Sequence, residues 1–394
     1  MMTRRTLLGG VVATAALAGC RERVVSAAPT GVRDVLLAST RQGLARIDAA
    51  GVRGLGVAEA SRDGRFVYAR SGDTGLLQLD SVAGAPVRST TLGGGWVPRV
   101  VSDDGRSCAL TRPRAGGRTP LLIAGPLGER TFDLSGTIEP DAFTQDGTGL
   151  FVLDWLPPTA PDRYRVRLLN LTTGSLEPLW TREKLPIPPG AEEEMRGEGR
   201  QAVLSADRQM LYTLYTHQPG HQHTRNLLAG TRADVHAFVH CLHLMLRWAY
   251  CLDLPHPFGS GPPSAYALAA DDRHIAVLDA SSGSLAYAST TDLTLQSVTE
   301  VPFPVRSGPA GLALSPDGRV MAAAGRSVTV LEKASPGVKA RWTLPGGVQG
   351  MALSADGARL YAGAPNAVTW LDTATGTEAG TTRVNGLTAL RHVT

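Results

Sequence analysis

The sequence predicts an all-β chain folded as a β-propeller of four-stranded blades. The count is eight blades, with seven as the alternative, and N- and C-terminal strands share one blade to close the ring. Three observations lead there. An Asp-centred turn recurs through most of the chain. Apolar residues arrive in short runs, and 45 Gly and 26 Pro punctuate them, so few stretches hold a helical period. The two ends each carry part of one blade and complement each other.

In chain order, residues 1–19 read as an export signal. Arg4 and Arg5 form a twin-arginine pair in Thr3-Arg-Arg-Thr-Leu-Leu8, and Leu7 to Ala18 is an apolar run of twelve residues. A bilayer core needs about 20 apolar residues, so this run is too short to stay as a span. Leu17-Ala18-Gly19-Cys20 resembles a bacterial lipobox. The resemblance implies diacylglyceryl transfer to the Cys20 thiol, Cys20 as the mature N-terminus, and residues 20–32 as a lipidated flexible tether. The product would be exported and lipid-anchored to the outer face of the cytoplasmic membrane. Loss of Arg4 and Arg5 takes the formal charge from +4 to +2. That charge, without a basic stripe, excludes a nucleic-acid partner.

Residues 33–394 read as a single propeller domain. Asp34-Val-Leu-Leu-Ala38 and Gly43-Leu-Ala-Arg-Ile-Asp48 are second and third strands with no Asp turn before them. The repeat then begins. Its clearest copies are Leu314-Ser-Pro-Asp-Gly-Arg319 and Leu353-Ser-Ala-Asp-Gly-Ala358; Asp63, Asp104, Asp146, Asp207 and Asp271 head weaker ones. Successive intervals from Asp63 through Asp356 are 41, 42, 61, 64, 46 and 39 residues. A four-stranded blade takes about 40 to 50. The Asp carboxylate accepts backbone N–H groups two residues on, and Gly tolerates the left-handed residue that follows. These Asp residues are therefore turn formers, not catalytic carboxylates. Gly386-Leu-Thr-Ala-Leu-Arg-His392 is a first strand with nothing after it, completing the blade begun at Asp34.

Leu360-Tyr-Ala-Gly-Ala-Pro-Asn-Ala-Val-Thr-Trp-Leu-Asp-Thr-Ala-Thr-Gly376 resembles the YVTN-type β-propeller repeat, with Ala362-Gly363 in place of its Thr-Asn. Met321-Ala-Ala-Ala-Gly325 departs further and lacks the aromatic. The resemblance implies the fold. Such propellers include surface-layer modules, binding proteins, dehydrogenase subunits and lactonases, so activity does not follow from it.

The two long intervals carry insertions at 181–200 and 216–234. Strands alternate direction from axis to rim. These insertions, with 157–162 and 255–263, therefore emerge on one face over adjacent blades. Long loops on a rigid scaffold usually carry function. Residues 235–254 should hold two strands, although Met245-Leu246 offers no Gly, Asn or Pro for a turn and a helix is the alternative.

The candidate chemistry gathers in this sector. Eight of nine His lie between 217 and 274. His217, His221 and His223 form His-x3-His-x-His, the residue type that holds transition metals; the plain reading is a polar surface loop. Glu192, Glu193 and Glu194 lack the spaced oxygen ligands of a calcium site and read as a solvated acidic loop, or as partners that order the His loop. His256 belongs to the same face. Cys241 and Cys251 would stand opposite each other if the hairpin turned at 246, and an extracytoplasmic compartment permits a disulfide there; the alternative is two buried thiols. Cys108 reads as a core residue.

No nucleophile elbow, zinc-protease helix, Walker loop or dinucleotide fingerprint is present, and no catalytic residue or cofactor is assigned. The chain reads as a monomeric binding or scaffold lipoprotein. The loop-rich face around 181–263 would take a protein, glycan or small-molecule ligand. The alternative is a propeller enzyme, lactonase-like hydrolase or dehydrogenase-type, with a His-rich transition-metal site.

Overall fold

The computed structural model describes residues 32–113, 117–126, 128–197, 200–333 and 335–394. The signal sequence with Arg4, Arg5, Leu17, Ala18 and Gly19, the lipidation residue Cys20 and almost all of the tether lie outside the described residues.

Among the described residues, thirty-two strands form eight four-stranded antiparallel sheets, so eight blades rather than seven are present. Seven blades run in chain order, beginning at Ala58, Val97, Thr137, Gln201, Tyr266, Ala310 and Met351. Blade eight is made from both ends. Its first strand is Leu387–Val393, followed across the sheet by Leu36–Thr40, Gly43–Asp48 and Gly51–Gly56. Leu36 pairs with Val393, and two backbone bonds between Val35 and Thr394, 3.0 and 2.9 Å, extend the ladder. A side-chain bond seals the junction to blade seven, where the Tyr361 hydroxyl donates to Asp34 at 2.6 Å.

Both faces of each sheet are covered by neighbours, which is why the strands read as apolar runs rather than as strict alternation. Phe151, Leu153, Tyr164 and Val166 of blade three meet Leu211, Phe238, Leu242 and Cys251 of blade four. The other face of blade four, with Tyr212, Val239 and Cys241, packs on Leu268, Ile275 and Val277 of blade five.

The repeat turns are built as their composition requires. Ser61 Oγ donates to Asp63 Oδ1 at 2.6 Å, and that oxygen also accepts Arg65 N–H at 3.0 Å. The same hydroxyl-to-Asp bond recurs at Ser102, Thr144, Ser205 and Ser354, between 2.5 and 2.7 Å. Where the unit at Asp207 lacks Gly, Arg208 takes the left-handed conformation itself, φ +61°.

One glycine joins two blades. Gly376, at φ +73°, ends the Asp372 turn, and a Cβ there would lie 2.1 Å from the Trp342 indole of blade six. Gly376→Ala should lower stability by at least about 1 kcal/mol from the left-handed backbone alone, before the clash. Equilibrium urea unfolding checks this, and an unchanged midpoint would refute it.

Residues 235–254 form a hairpin, not a helix: Phe238–His243 pairs with Ala249–Asp253. Arg247 supplies the left-handed turn residue, φ +63°, and its N–H bonds His243 C=O at 2.9 Å. This turn sets the register one residue away from that needed for a Cys241–Cys251 disulfide. Cys241 faces Tyr250, and Cys251 faces His240. Because side chains alternate across a strand, the two sulfurs lie on opposite faces of the sheet, and both thiols are free. Cys108 is buried in the core as expected.

Candidate functional site

The insertions meet over blades three and four. Met195 joins the edge of blade three by two backbone bonds with Tyr164, each 2.9 Å. The Gln218 amide clamps the backbone of Arg196 through both its oxygen and its nitrogen, each bond 2.9 Å. Thus residue 218 of the second insertion fixes the end of the first. A short helix, Thr224–Ala229, follows, and its first N–H donates to Glu193 Oε1 at 2.8 Å.

Beneath these clamps lies a cluster of titratable groups. Glu193 Oε2 stands 3.0 Å from Cys251 Sγ, 3.4 Å from His223 Nδ1 and 3.5 Å from His221 Nε2. His223 Nε2 is 2.6 Å from Asp253 Oδ1. Arg225 holds the other Asp253 oxygen at 2.5 Å and the Cys251 carbonyl at 2.8 Å. His221 Nδ1 lies 3.3 Å from the Glu194 carbonyl, and its Nε2 lies 3.2 Å from His223 Nδ1. His221, His223 and Cys251 are all buried.

The electrostatics follow from burial against partners. Burial pushes the Glu193 carboxyl up, but hydrogen bonds from His221 and His223 and the charge on His223 outweigh it and hold Glu193 well below the usual carboxylate range. Burial works against charge on His223 too, and the bonds to Asp253 and Glu193 raise its pKa despite that. Burial and the negative Glu193 push the Cys251 thiol well up, so Cys251 is a protonated donor to that carboxylate. His240, buried beside this cluster, is lowered to about 4, chiefly by burial.

A pocket of about 200 Å³ opens onto the cluster. Val166, Leu179, Ile187, Met195 and Leu228 make apolar walls, and Glu193, His240 and Cys251 make a polar floor. Tyr250 also lines it, with the Arg182 and Arg225 guanidinium groups each 5.4 Å from its ring. A larger cavity, about 900 Å³, is lined by first strands of several blades, and many of its charges are paired. Arg391 meets Glu59 at 2.9 Å, Arg208 meets Asp63 at 2.8 Å, and Arg62 meets Asp141 at 3.2 Å.

The structure regroups the residues singled out in the sequence. His217 does not join His221 and His223. Its Nδ1 bonds Thr216 Oγ1 at 2.8 Å and its Nε2 bonds the Gly261 carbonyl at 2.7 Å, because its φ of +59° turns the chain there. The ligand set His217, His221 and His223 is therefore not assembled. His256 is exposed and forms no part of the cluster. Nor is the acidic run simply solvated. Glu192 pairs with Arg165 and Arg167 at 3.2 and 3.1 Å, Glu194 pairs with Arg163 at 2.6 Å, and Glu193 faces His221, His223 and Cys251. Sequence reasoning missed Asp253 and the role of Cys251. Their i, i+2 spacing on one strand, which puts both side chains on one face, was the available signal.

Among the described residues, Glu193, His223 and Cys251 offer donor atoms all within 4.8 Å of one another, as a metal ion requires. No helix among them is long and apolar enough to cross a membrane.

No family model matches the chain, and no curated protein matches it in sequence. Among solved structures it is similar to the dihydro-heme d1 dehydrogenase NirN in complex with DHE, at 16% identity and TM-score 0.48 over 90% of this chain and 74% of that one. It is similar to Sqt1 from Saccharomyces cerevisiae, at 11% and 0.49 over 82% and 84%. It is also similar to BamB from Moraxella catarrhalis, at 13% and 0.49 over 84% and 88%. Likenesses of this size say nothing of what this chain binds or turns over.

Proposed function

We propose that this protein is an exported lipoprotein, held at the outer face of the cytoplasmic membrane through Cys20, with a binding or scaffold role. Its working surface is the loop-rich face around 181–263. The observation that carries the reading is the pocket between the insertions, with apolar walls, a polar floor and its rim on clamped loops. At about 200 Å³ it lies below the usual range for drug-sized ligands and suits one protruding side chain of a partner or a small molecule. The protein works as a monomer, and its partner is a protein, glycan or small molecule rather than nucleic acid.

Two experiments test this. Cys20→Ala should move the protein from the membrane pellet to the soluble fraction, since no helix among the described residues is long and apolar enough to cross a membrane; retention on the membrane would refute the lipid anchor. A photo-crosslinking residue at Leu228, beside the pocket, should capture a partner in the native envelope, whereas one at Pro316, in a turn on the opposite end, should not. Equal capture at both, or capture at neither, would count against this face.

A second reading is a metal-dependent propeller enzyme, of lactonase-like or dehydrogenase type. What favours it is the convergence of Glu193, His223 and Cys251, two of which, Glu193 and Cys251, lie on the floor of the same pocket.

A further inference from the structure

We propose that Glu193, His223 and Cys251 bind one zinc ion, with Asp253 as the outer partner of His223. This goes beyond the binding reading and does not depend on it.

The donor set is mixed sulfur, nitrogen and oxygen, which suits zinc and not calcium or magnesium, whose sites are built of oxygens. The spacing suits it as well. Zinc bonds of about 2.0 to 2.3 Å in a tetrahedron put neighbouring donor atoms about 3.3 to 3.8 Å apart. Here Glu193 Oε2 lies 3.4 Å from His223 Nδ1 and 3.0 Å from Cys251 Sγ, and the three donor atoms all lie within 4.8 Å of one another, so admitting the ion takes side-chain shifts of at most about 1 Å.

The second shell is independent support. A metal-bound imidazole almost always donates its other N–H to a carboxylate or carbonyl, which fixes the ring and its tautomer. His223 does this already: Nε2 faces Asp253 Oδ1 at 2.6 Å, and Arg225 holds Asp253 in place. Nδ1 is thereby the nitrogen aimed at Glu193 and Cys251. His221 Nε2, 3.2 Å from His223 Nδ1, is a further donor at hand. Glu193 and Cys251 also line the pocket, which gives an ion a path in.

The proton balance is simple. On binding, the Cys251 thiol proton and the proton on His223 Nδ1 pass to solvent, and the thiolate, imidazole nitrogen and Glu193 carboxylate bond the ion. Two protons leave and a dication enters, so the net charge of this buried cluster does not change.

The test is zinc content of the full chain, purified in detergent from its native envelope without a His tag or chelator. One zinc per chain is expected. After removal by a strong chelator, retitration with zinc should show that Cys251→Ser and Glu193→Gln weaken binding by at least about 100-fold. Asp253→Asn should weaken it by about 10- to 100-fold. His217→Ala, whose ring points elsewhere, should bind as the parent does. Should the ligand variants misfold by circular dichroism, the parent protein still decides: loaded with cobalt, it should show a thiolate-to-metal charge-transfer band. Absence of metal at micromolar free zinc overturns the site, as does undiminished binding by a folded Cys251→Ser protein or a cobalt spectrum without the thiolate band. A metal-free protein that still crosslinks through Leu228 would sink the zinc site and leave the binding reading standing.

Discussion

Removing residues 387–394 is expected to abolish folding rather than trim stability. The lost strand is the first of blade eight and the only partner on one side of Leu36–Thr40. It carries Leu387 and Leu390 into a buried cluster with Leu36, Ile47, Tyr361 and Trp370, drawn from blades seven and eight. Stripping a buried Leu side chain costs about 2 to 5 kcal/mol. Two such losses, with the ladder bonds and the newly exposed strand edge, rival the whole stability of a domain, about 5 to 15 kcal/mol. Circular dichroism melts and limited proteolysis check this. A truncated chain that melted cooperatively within a few degrees of the full protein would show that the ring does not need its last strand.

The second large effect lies at the axis. Asp141, buried on the first strand of blade three, accepts from Arg200 at the start of blade four and from Arg62 of blade one, the latter at 3.2 Å. One carboxylate thus ties three blades. Arg200 Nε is buried without a hydrogen bond, so this guanidinium depends on Asp141 for compensation. Asp141→Ala should cost about 3 to 5 kcal/mol, the range for breaking a buried pair by removing one partner. Asp141→Asn, which keeps the shape and loses the charge, should cost less but act in the same direction. Urea unfolding at neutral pH measures both, and a loss under about 1 kcal/mol for the Ala variant would refute the tie.

The same pair makes a pH prediction. Burial raises the Asp141 pKa, but Arg200 and Arg62 outweigh it and hold the folded value below the ordinary 3.8. Its contribution is therefore present above that pH and lost as pH falls through the folded value. His392 acts earlier. Burial, with Arg391 and Arg62 nearby, lowers it to about 4 from 6.5. Below pH 6.5 the unfolded chain takes up this proton and the folded protein resists it, so stability declines from there towards pH 4. The parent protein should weaken in both ranges. Asp141→Asn should keep the upper decline and lose its share of the lower one.

How much of this was legible in sequence depended on whether the feature was periodic. Asp63, Asp146 and Asp356 announced their turns because turn chemistry is local: the Asp and the N–H that it binds are two residues apart. Ring closure was legible because Asp34 to Asp48 lacked a first strand and Gly386 to His392 supplied one. The hairpin register was not. It depends on Arg247 adopting a conformation that its residue type disfavours, and a one-residue error there sends Cys251 to the other face of the sheet. The site was half legible. His221 and His223 lie in the loop that the His spacing singled out, and the insertion lengths pointed to the sector where this cluster lies. Their partners were not readable, because Glu193 and Cys251 lie 58 residues apart on different elements. His217 misled because an irregular loop has no fixed period to say which way a side chain points.

The split blade also imposes a schedule. Leu36–Thr40 is synthesised well before Leu387–Val393, with roughly 350 residues between them. At about 5 to 20 residues per second, the early strand waits about 20 to 70 s for its neighbour. During that interval seven sheets can assemble while an apolar seam stays open to proteases and chaperones. A chain lacking Leu387–Val393 would leave Leu36, Ile47, Tyr361 and Trp370 without the Leu387 and Leu390 that cover them.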